Sequence, residues 1–239
     1  MMDTADAESR TRAHLRASAD VKLLLAERES GAIVAGARTI ADALRRGGKL
    51  MLCGNGGSAA DAQHIAAELT NRFRPDVERP AFAAMSLTTD TSFLTSHAND
   101  FAFETIFQRQ VEALGRSGDV LIGISTSGGS ENVIRAVRAC RERGIKTIGL
   151  LGGNGGRLRA LVDLPLVVPS HNTQYIQESH IAIGHILSDL VERALIGEWA
   201  TGIPVGALTT PGAAAPRTRP RRTSTNGARA RPADVQETV

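Results

Sequence analysis

The chain has 239 residues, of which 42% are hydrophobic, 22% charged and 3% aromatic, with a net charge of +3. That apolar fraction excludes wholesale disorder, no Gly-X-Y period marks a fibre, and no apolar run approaches the ~18 residues of a membrane helix. Two cysteines, Cys53 and Cys140, make no disulfide framework, and the charged opening residues lack the apolar stretch of a signal peptide, so a soluble cytoplasmic protein is expected.

In chain order, residues 1–9 are expected to be a flexible start. From Arg10 to Arg46 the residues read as helix, with Ile33, Ala37, Ile40 and Leu44 recurring at helical spacing. The run Lys49–Cys53 is a short strand closed by Gly54-Asn55-Gly56-Gly57-Ser58, and a helix follows from Ala59 to Thr70. The same phrase returns as a strand over Val120–Ile124, the loop Ser125-Thr126-Ser127-Gly128-Gly129-Ser130 and a helix from Glu131 to Arg143. It returns again as Thr147–Leu151, Gly152–Gly156 and a short helix from Arg157. Two further strand candidates are Ala83–Leu87 and Leu164–Val168, and a last helix runs from Thr173 to Ile196. Short apolar strands alternating with helices point to an α/β three-layer sandwich around a mainly parallel, roughly five-stranded sheet.

The Gly/Ser loops fall where an α/β sheet binds ligands, beyond the carboxyl ends of strands and at helix N-termini that attract anions. Four hydroxyls and no lysine make 125–130 a phosphate cradle of hydroxyls and amides, unlike a Gly-Lys-Ser/Thr loop. The loop 152–156 carries no hydroxyl, and backbone turning explains it. Gly54-x-Gly56-x-x-Ala59 also satisfies the dinucleotide fingerprint, but no acidic residue follows at the end of the second strand, which disfavours NAD. His64 and Glu68 share a helix face. Such a pair can chelate a metal, supply a base and its partner, or simply be hydrogen-bonded at the surface. The last helix carries Gln177, Glu178, His180 and His185 among apolar residues on more than one side, as expected of burial between layers or subunits.

The stretch Gly54–Phe73 closely resembles the first motif of the phosphoheptose isomerases, the sedoheptulose 7-phosphate isomerases of the sugar isomerase (SIS) superfamily. The resemblance continues through Ser86–Ser92, Ala98–Phe101, Arg109–Gly115, Ser125–Ser130 and Ile176–Ile181, and it spans residues 10–197. It implies a single flavodoxin-like SIS domain over 10–200, with N- and C-terminal helices used for oligomerisation. It implies an aldose–ketose isomerase that converts sedoheptulose 7-phosphate to a D-glycero-D-manno-heptose 7-phosphate through an enediol(ate). The product would serve heptose-nucleotide or secondary-metabolite sugar synthesis. Asn55, Gly56, Gly57 and Ser58 match the first substrate loop, and Ser125, Thr126, Ser127 and Ser130 match the phosphate loop. Asn99 and Asp100 match a further substrate contact, and Glu68 and Gln177 also stand among the expected substrate-binding residues. His64, Glu68, Gln177 and His185 match the Zn2+ ligands of metal-containing members, and Glu68 and His185 the acid/base pair. The resemblance further implies a homotetramer with active sites shared between subunits, whereas the lack of a long apolar run argues against a membrane span and the confinement of the basic charge to residues 203–239 leaves nucleic acid no more than weak tail contacts.

Two positions depart from the family pattern. Gly129 stands where an Asn is usual, and Tyr175 where an Arg usually precedes Ile-Gln-Glu. His97, His171 and His180 match no functional position and are expected to be structural or exposed. SIS domains also act as sugar-phosphate sensors or associate with a replication initiator, and a binding protein of that kind is the alternative. Such a protein needs the phosphate loop but not the acid/base pair. Residues 203–239 are rich in Ala, Pro, Thr and Arg without periodicity and read as a disordered basic tail. The tail's net +4 exceeds the chain's +3 and leaves the remainder at −1.

Overall fold

A computed structural model describes residues 3–197, and the expected tail over 203–239 lies outside the described residues. Helix α1 (Thr4–Arg45) is followed by β1 (Leu50–Gly54), α2 (Gly57–Thr70), β2 (Ala84–Ser86), α3 (Thr91–Asp100) and α4 (Ile106–Leu114). Then come β3 (Val120–Ser125), α5 (Glu131–Glu142), β4 (Lys146–Gly152), β5 (Leu164–Val168) and α6 (Thr173–Ile196). The strand order is β2-β1-β3-β4-β5, and every pairing is parallel. This is the expected three-layer α/β sandwich, in the flavodoxin-like order.

The central strands β1 and β3 are buried on both faces, which is why they read as apolar runs. Alternate side chains serve two cores. Leu50, Leu52, Val120, Ile122 and Ile124 face α1, α2 and α6, whereas Met51, Cys53 and Leu121 face α4 and α5. Cys53 and Cys140 are free and buried, and burial pushes the Cys140 thiol up to about 12. No described helix is long and apolar enough to cross a membrane.

The structure differs from the sequence reading in two places. The flexible start expected over 1–9 is helical from Thr4, because Asp3 caps the helix by accepting from the Ala5 N–H at 3.1 Å. The pairs Arg10–Asp6 and Arg12–Glu8 then follow one turn apart. Helices α3 and α4 fill a stretch to which the sequence reading assigned no element. Only His97 of α3 is buried, so it has no apolar stripe, and the α4 stripe of Ile106, Phe107 and Val111 includes a buried Gln110. Gln110 is satisfied by donating to Leu87 O at 2.8 Å.

Candidate active site

The two Gly/Ser loops follow β1 and β3, neighbouring strands whose connections depart to opposite sides, the place where such sheets bind ligands. In the first loop Gly56 has φ +55, and a Cβ on Gly57 would lie 1.8 Å from Gln177 Nε2. Glycine there lets the side chain of Gln177 rest directly on the start of α2. The Asn55 and Asn132 amides donate to each other reciprocally, at 2.9 and 2.8 Å. Asn132 is buried in the first turn of α5, so this pair locks the first loop to the second. The sequence reading missed Asn132. Its signal was an asparagine inside the first turn of a helix, a position where a side-chain amide needs its own partner.

In the second loop Ser125 Oγ and Ser130 Oγ are 2.9 Å apart, and Ser127 Oγ accepts from the Gly129 N–H at 3.2 Å. Ser130 is the N-cap residue of α5 yet makes no side-chain cap bond, and in that first turn Asn132 Oδ1 accepts from the Val133 N–H at 3.0 Å. The third loop buttresses the second. A Cβ on Gly128 would lie 1.9 Å from Gly155 O, and the Leu158 N–H donates to Gly128 O. Arg157 donates to Gly129 O and pairs with Glu131 at 3.0 Å. The hydrogen bond from Arg135, reinforced by Arg157, holds the exposed Glu131 carboxyl below its ordinary value. A Cβ on Gly129 would meet only Ser127 Oγ at 3.5 Å, so the missing side chain leaves room. Beside Thr126 and Ser127 a cavity of about 310 Å³ opens, reaching Gly153, Asn154, Ser170, His171 and Thr173. His171, expected to be a bystander, thus lines it.

A second constellation lies further along the helices. His64 and Glu68 of α2 meet His185 of α6, because α2 and α6 run side by side, with Gly184 against Ile65. His64 Nε2 is 3.1 Å from Glu68 Oε1 and 3.1 Å from His185 Nε2. One ligand atom from each falls within 4.8 Å of the others. Tetrahedral Zn2+ with N and O ligands at ~2.0–2.2 Å spaces its ligand atoms by ~3.4 Å. The donor set therefore fits one such ion, and two imidazole nitrogens facing each other are natural ligands. Gln177 is not at this cluster within one chain. It precedes His185 by two helical turns, about 12 Å. Nearby, Asp61 Oδ2 is buried with no hydrogen-bond partner among the described residues. Burial pushes this carboxyl up to about 6, against the opposing pull of His64.

Asn99 and Asp100 lie exposed at the end of α3, joined by a 2.9 Å bond, and α3 packs on the opposite face of the sheet from α2 and α6. Tyr175 turns toward α1, its ring edge-on to His14 at 4.8 Å. His97 is stacked between Phe93 and Phe101 and bonded to Thr105, a structural role. His180 is fully buried with Nε2 3.1 Å from Leu151 O, and burial pushes its pKa down to about 4.

The SIS domain family matches residues 14–152. The phosphoheptose isomerase of Pelodictyon phaeoclathratiforme is 56% identical over 74% of this chain and 85% of its own. The phosphoheptose isomerase structure from Neisseria gonorrhoeae is 44% identical with a TM-score of 0.73, covering 77% of this chain and 98% of that one. The corresponding structure from Francisella tularensis is 37% identical with a TM-score of 0.75, covering 80% and 100%. The chain belongs to the SIS-domain proteins and, within them, to the phosphoheptose isomerase family.

Proposed function

We propose that the protein converts sedoheptulose 7-phosphate to a D-glycero-D-manno-heptose 7-phosphate, with Glu68 and His185 as its acid/base pair. The observation that carries this reading is the meeting of His64, Glu68 and His185 from two helices, beyond what a sugar-phosphate sensor requires. The substrate phosphate is held by Ser125, Thr126, Ser127 and Ser130 with the N-terminus of α5. Asn55, Gly56, Gly57, Ser58 and Gln177 hold the sugar, with Asn99 and Asp100 as further contacts. Glu68 takes the proton from C1 of the ketose and returns it to C2, while His185 moves the hydroxyl proton between the two oxygens. The enediol(ate) is thereby converted to the aldose with no net gain or loss of atoms.

His64, Glu68 and His185, with Gln177 supplied by another subunit, would hold a Zn2+ ion. Such an ion supplies Lewis-acid polarisation of the carbonyl and stabilises developing negative charge on oxygen. As a ligand of that ion Glu68 would be a weaker base, so its two roles would be taken in turn.

The protein acts as a homotetramer with shared sites. Four features support this. Glu68 is three turns along α2 from Gly57, about 16 Å. Gln177 is two turns from His185, and Asn99 and Asp100 lie on the other sheet face. Leu15, Leu23, Phe101 and Phe103 are exposed apolar side chains of the kind subunit contacts cover. The protein works in the cytoplasm, a reading supported by its two free buried thiols. It feeds heptose-nucleotide or secondary-metabolite sugar synthesis.

The test is incubation of the purified full chain with sedoheptulose 7-phosphate, with and without chelator, followed by NMR. Appearance of a C2 aldose phosphate is the expected result. Binding without turnover, with Zn2+ supplied, would replace the isomerase with a sensor.

A further inference from the structure

Behind the reactive cluster, one carboxylate and one guanidinium are withdrawn from water altogether. The Glu192 side chain on α6 is 0% exposed and that of Arg79 1%. Charges so deeply buried survive only when paired and fully hydrogen-bonded. Glu192 Oε2 accepts from Arg79 Nε at 2.7 Å and from the Phe73 N–H at 3.2 Å, and Oε1 accepts from Arg74 Nε at 3.0 Å. Burial works to raise the Glu192 carboxyl, but these hydrogen bonds outweigh it and hold the group below its ordinary value, ionised.

The remainder of the Arg79 fork faces α2. Nη2 donates to Glu68 O at 2.9 Å and Nη1 to Leu69 O at 3.0 Å, with the Phe82 ring 4.0 Å beneath the guanidinium. The last carbonyls of a helix have no intrahelical donor, so Arg79 both satisfies them and places a cation at the negative helix end. One of those carbonyls belongs to Glu68 itself. On the other side, Phe73, whose N–H is bonded to Glu192, lays its ring 6.0 Å from the His185 ring. Glu192 follows His185 by two turns on the same face of α6. A single buried carboxylate is therefore tied to the backbone of Glu68 through Arg79 and to the wall of His185 through Phe73.

We propose that Glu192 and Arg79 are positioning residues for the isomerisation, a clamp behind α2 that sets Glu68 and His185 at their working separation. The proposal rests on the isomerase reading of that cluster. Lysine at 79 keeps the charge but cannot span Glu192 and two carbonyls at once.

Three full-length variants test it, Arg79→Lys, Glu192→Gln and Phe73→Leu, each checked for folding by circular dichroism and for size by gel filtration. Folded Arg79→Lys should lose about 10–100-fold in kcat with the KM for sedoheptulose 7-phosphate nearly unchanged. The limbs of its kcat–pH profile should move, and its affinity for Co2+, read from visible absorption at the His64–Glu68–His185 cluster, should fall. Phe73→Leu, which leaves the ion pair intact, should show the smaller kcat loss. Wild-type kcat, pH profile and Co2+ affinity in folded Arg79→Lys overturn the proposal. If neither charge variant folds, Phe73→Leu decides, and an unmoved kcat and profile there overturn it. A wild-type chain that binds the sugar without turning it over defeats the isomerase reading instead. The clamp is then judged on Co2+ affinity alone, and an unchanged value in a folded variant overturns it.

Discussion

The two Gly/Ser loops and the His64–Glu68–His185 cluster are built in opposite ways. The loops are made of contiguous backbone: Gly56, Gly128 and the α5 N-terminus shape them, and Asn55 with Asn132 ties one to the other. The cluster joins a pair on α2 to a histidine on α6 more than a hundred positions away, held by the packing of two helices and by a buried ion pair behind them. An anion site can be assembled locally because main-chain N–H groups and hydroxyls are available in any short segment. A proton-transfer or metal site needs particular side chains converging, and only tertiary packing brings α2 to α6.

That contrast predicts different failures. The largest effect is expected at the cluster. Glu68→Gln should cut kcat by about 100-fold or more while KM stays close to wild type, because it removes a base and leaves the loops intact. Steady-state kinetics on sedoheptulose 7-phosphate check this, and near-normal turnover would remove Glu68 from its role. Next comes the phosphate loop. Ser125→Ala should raise KM by about tenfold or more, the worth of a hydrogen bond to a charged group, with little change in kcat. A kcat loss at constant KM would blur the division between the two regions.

Third, the hinge between the loops is open to Asn132→Ala. It leaves the Asn55 amide without its partner and should cost about 1–3 kcal/mol in urea unfolding, with a higher KM. A fourth effect is pH-dependent. His180 anchors the first half of α6, including the Gln177 end, to Leu151 O. Its pKa, lowered from 6.5 to about 4, means that the unfolded chain binds the proton more tightly. Stability is thus undiminished above pH 6.5 and declines as pH falls toward 4, by roughly 3 kcal/mol from this group. Urea titrations across that window should show the loss, and His180→Gln should flatten it. The smallest effect is expected from ending the chain after Gly202, which should leave turnover and oligomer size unchanged.

Much of the architecture is legible in the sequence. Leu50–Cys53 and Val120–Ile124 carry no polar side chain because both faces of the sheet are covered there, and each stops at a Gly/Ser loop. Helix α3 was not readable, since its buried residue is a histidine stacked between two phenylalanines. The start of α1 depends on a single aspartate cap and exposed i, i+4 pairs, which leave no apolar period to detect. His64 and Glu68 were visible as a helical pair, but their partner was a matter of family resemblance until α6 was seen beside α2. Arg79 and Glu192 carried no signal at all: an arginine in a Pro-flanked loop and a glutamate in a long helix ordinarily face water.

The sequence by itself determined the layer class, the strand positions and the two Gly/Ser loops that follow β1 and β3, because these follow from local periodicity and backbone chemistry. Tertiary structure alone decided the strand order and which distant side chains meet. It also decided which charges are buried: burial depends on what packs against a residue, and its neighbours in the chain do not specify that.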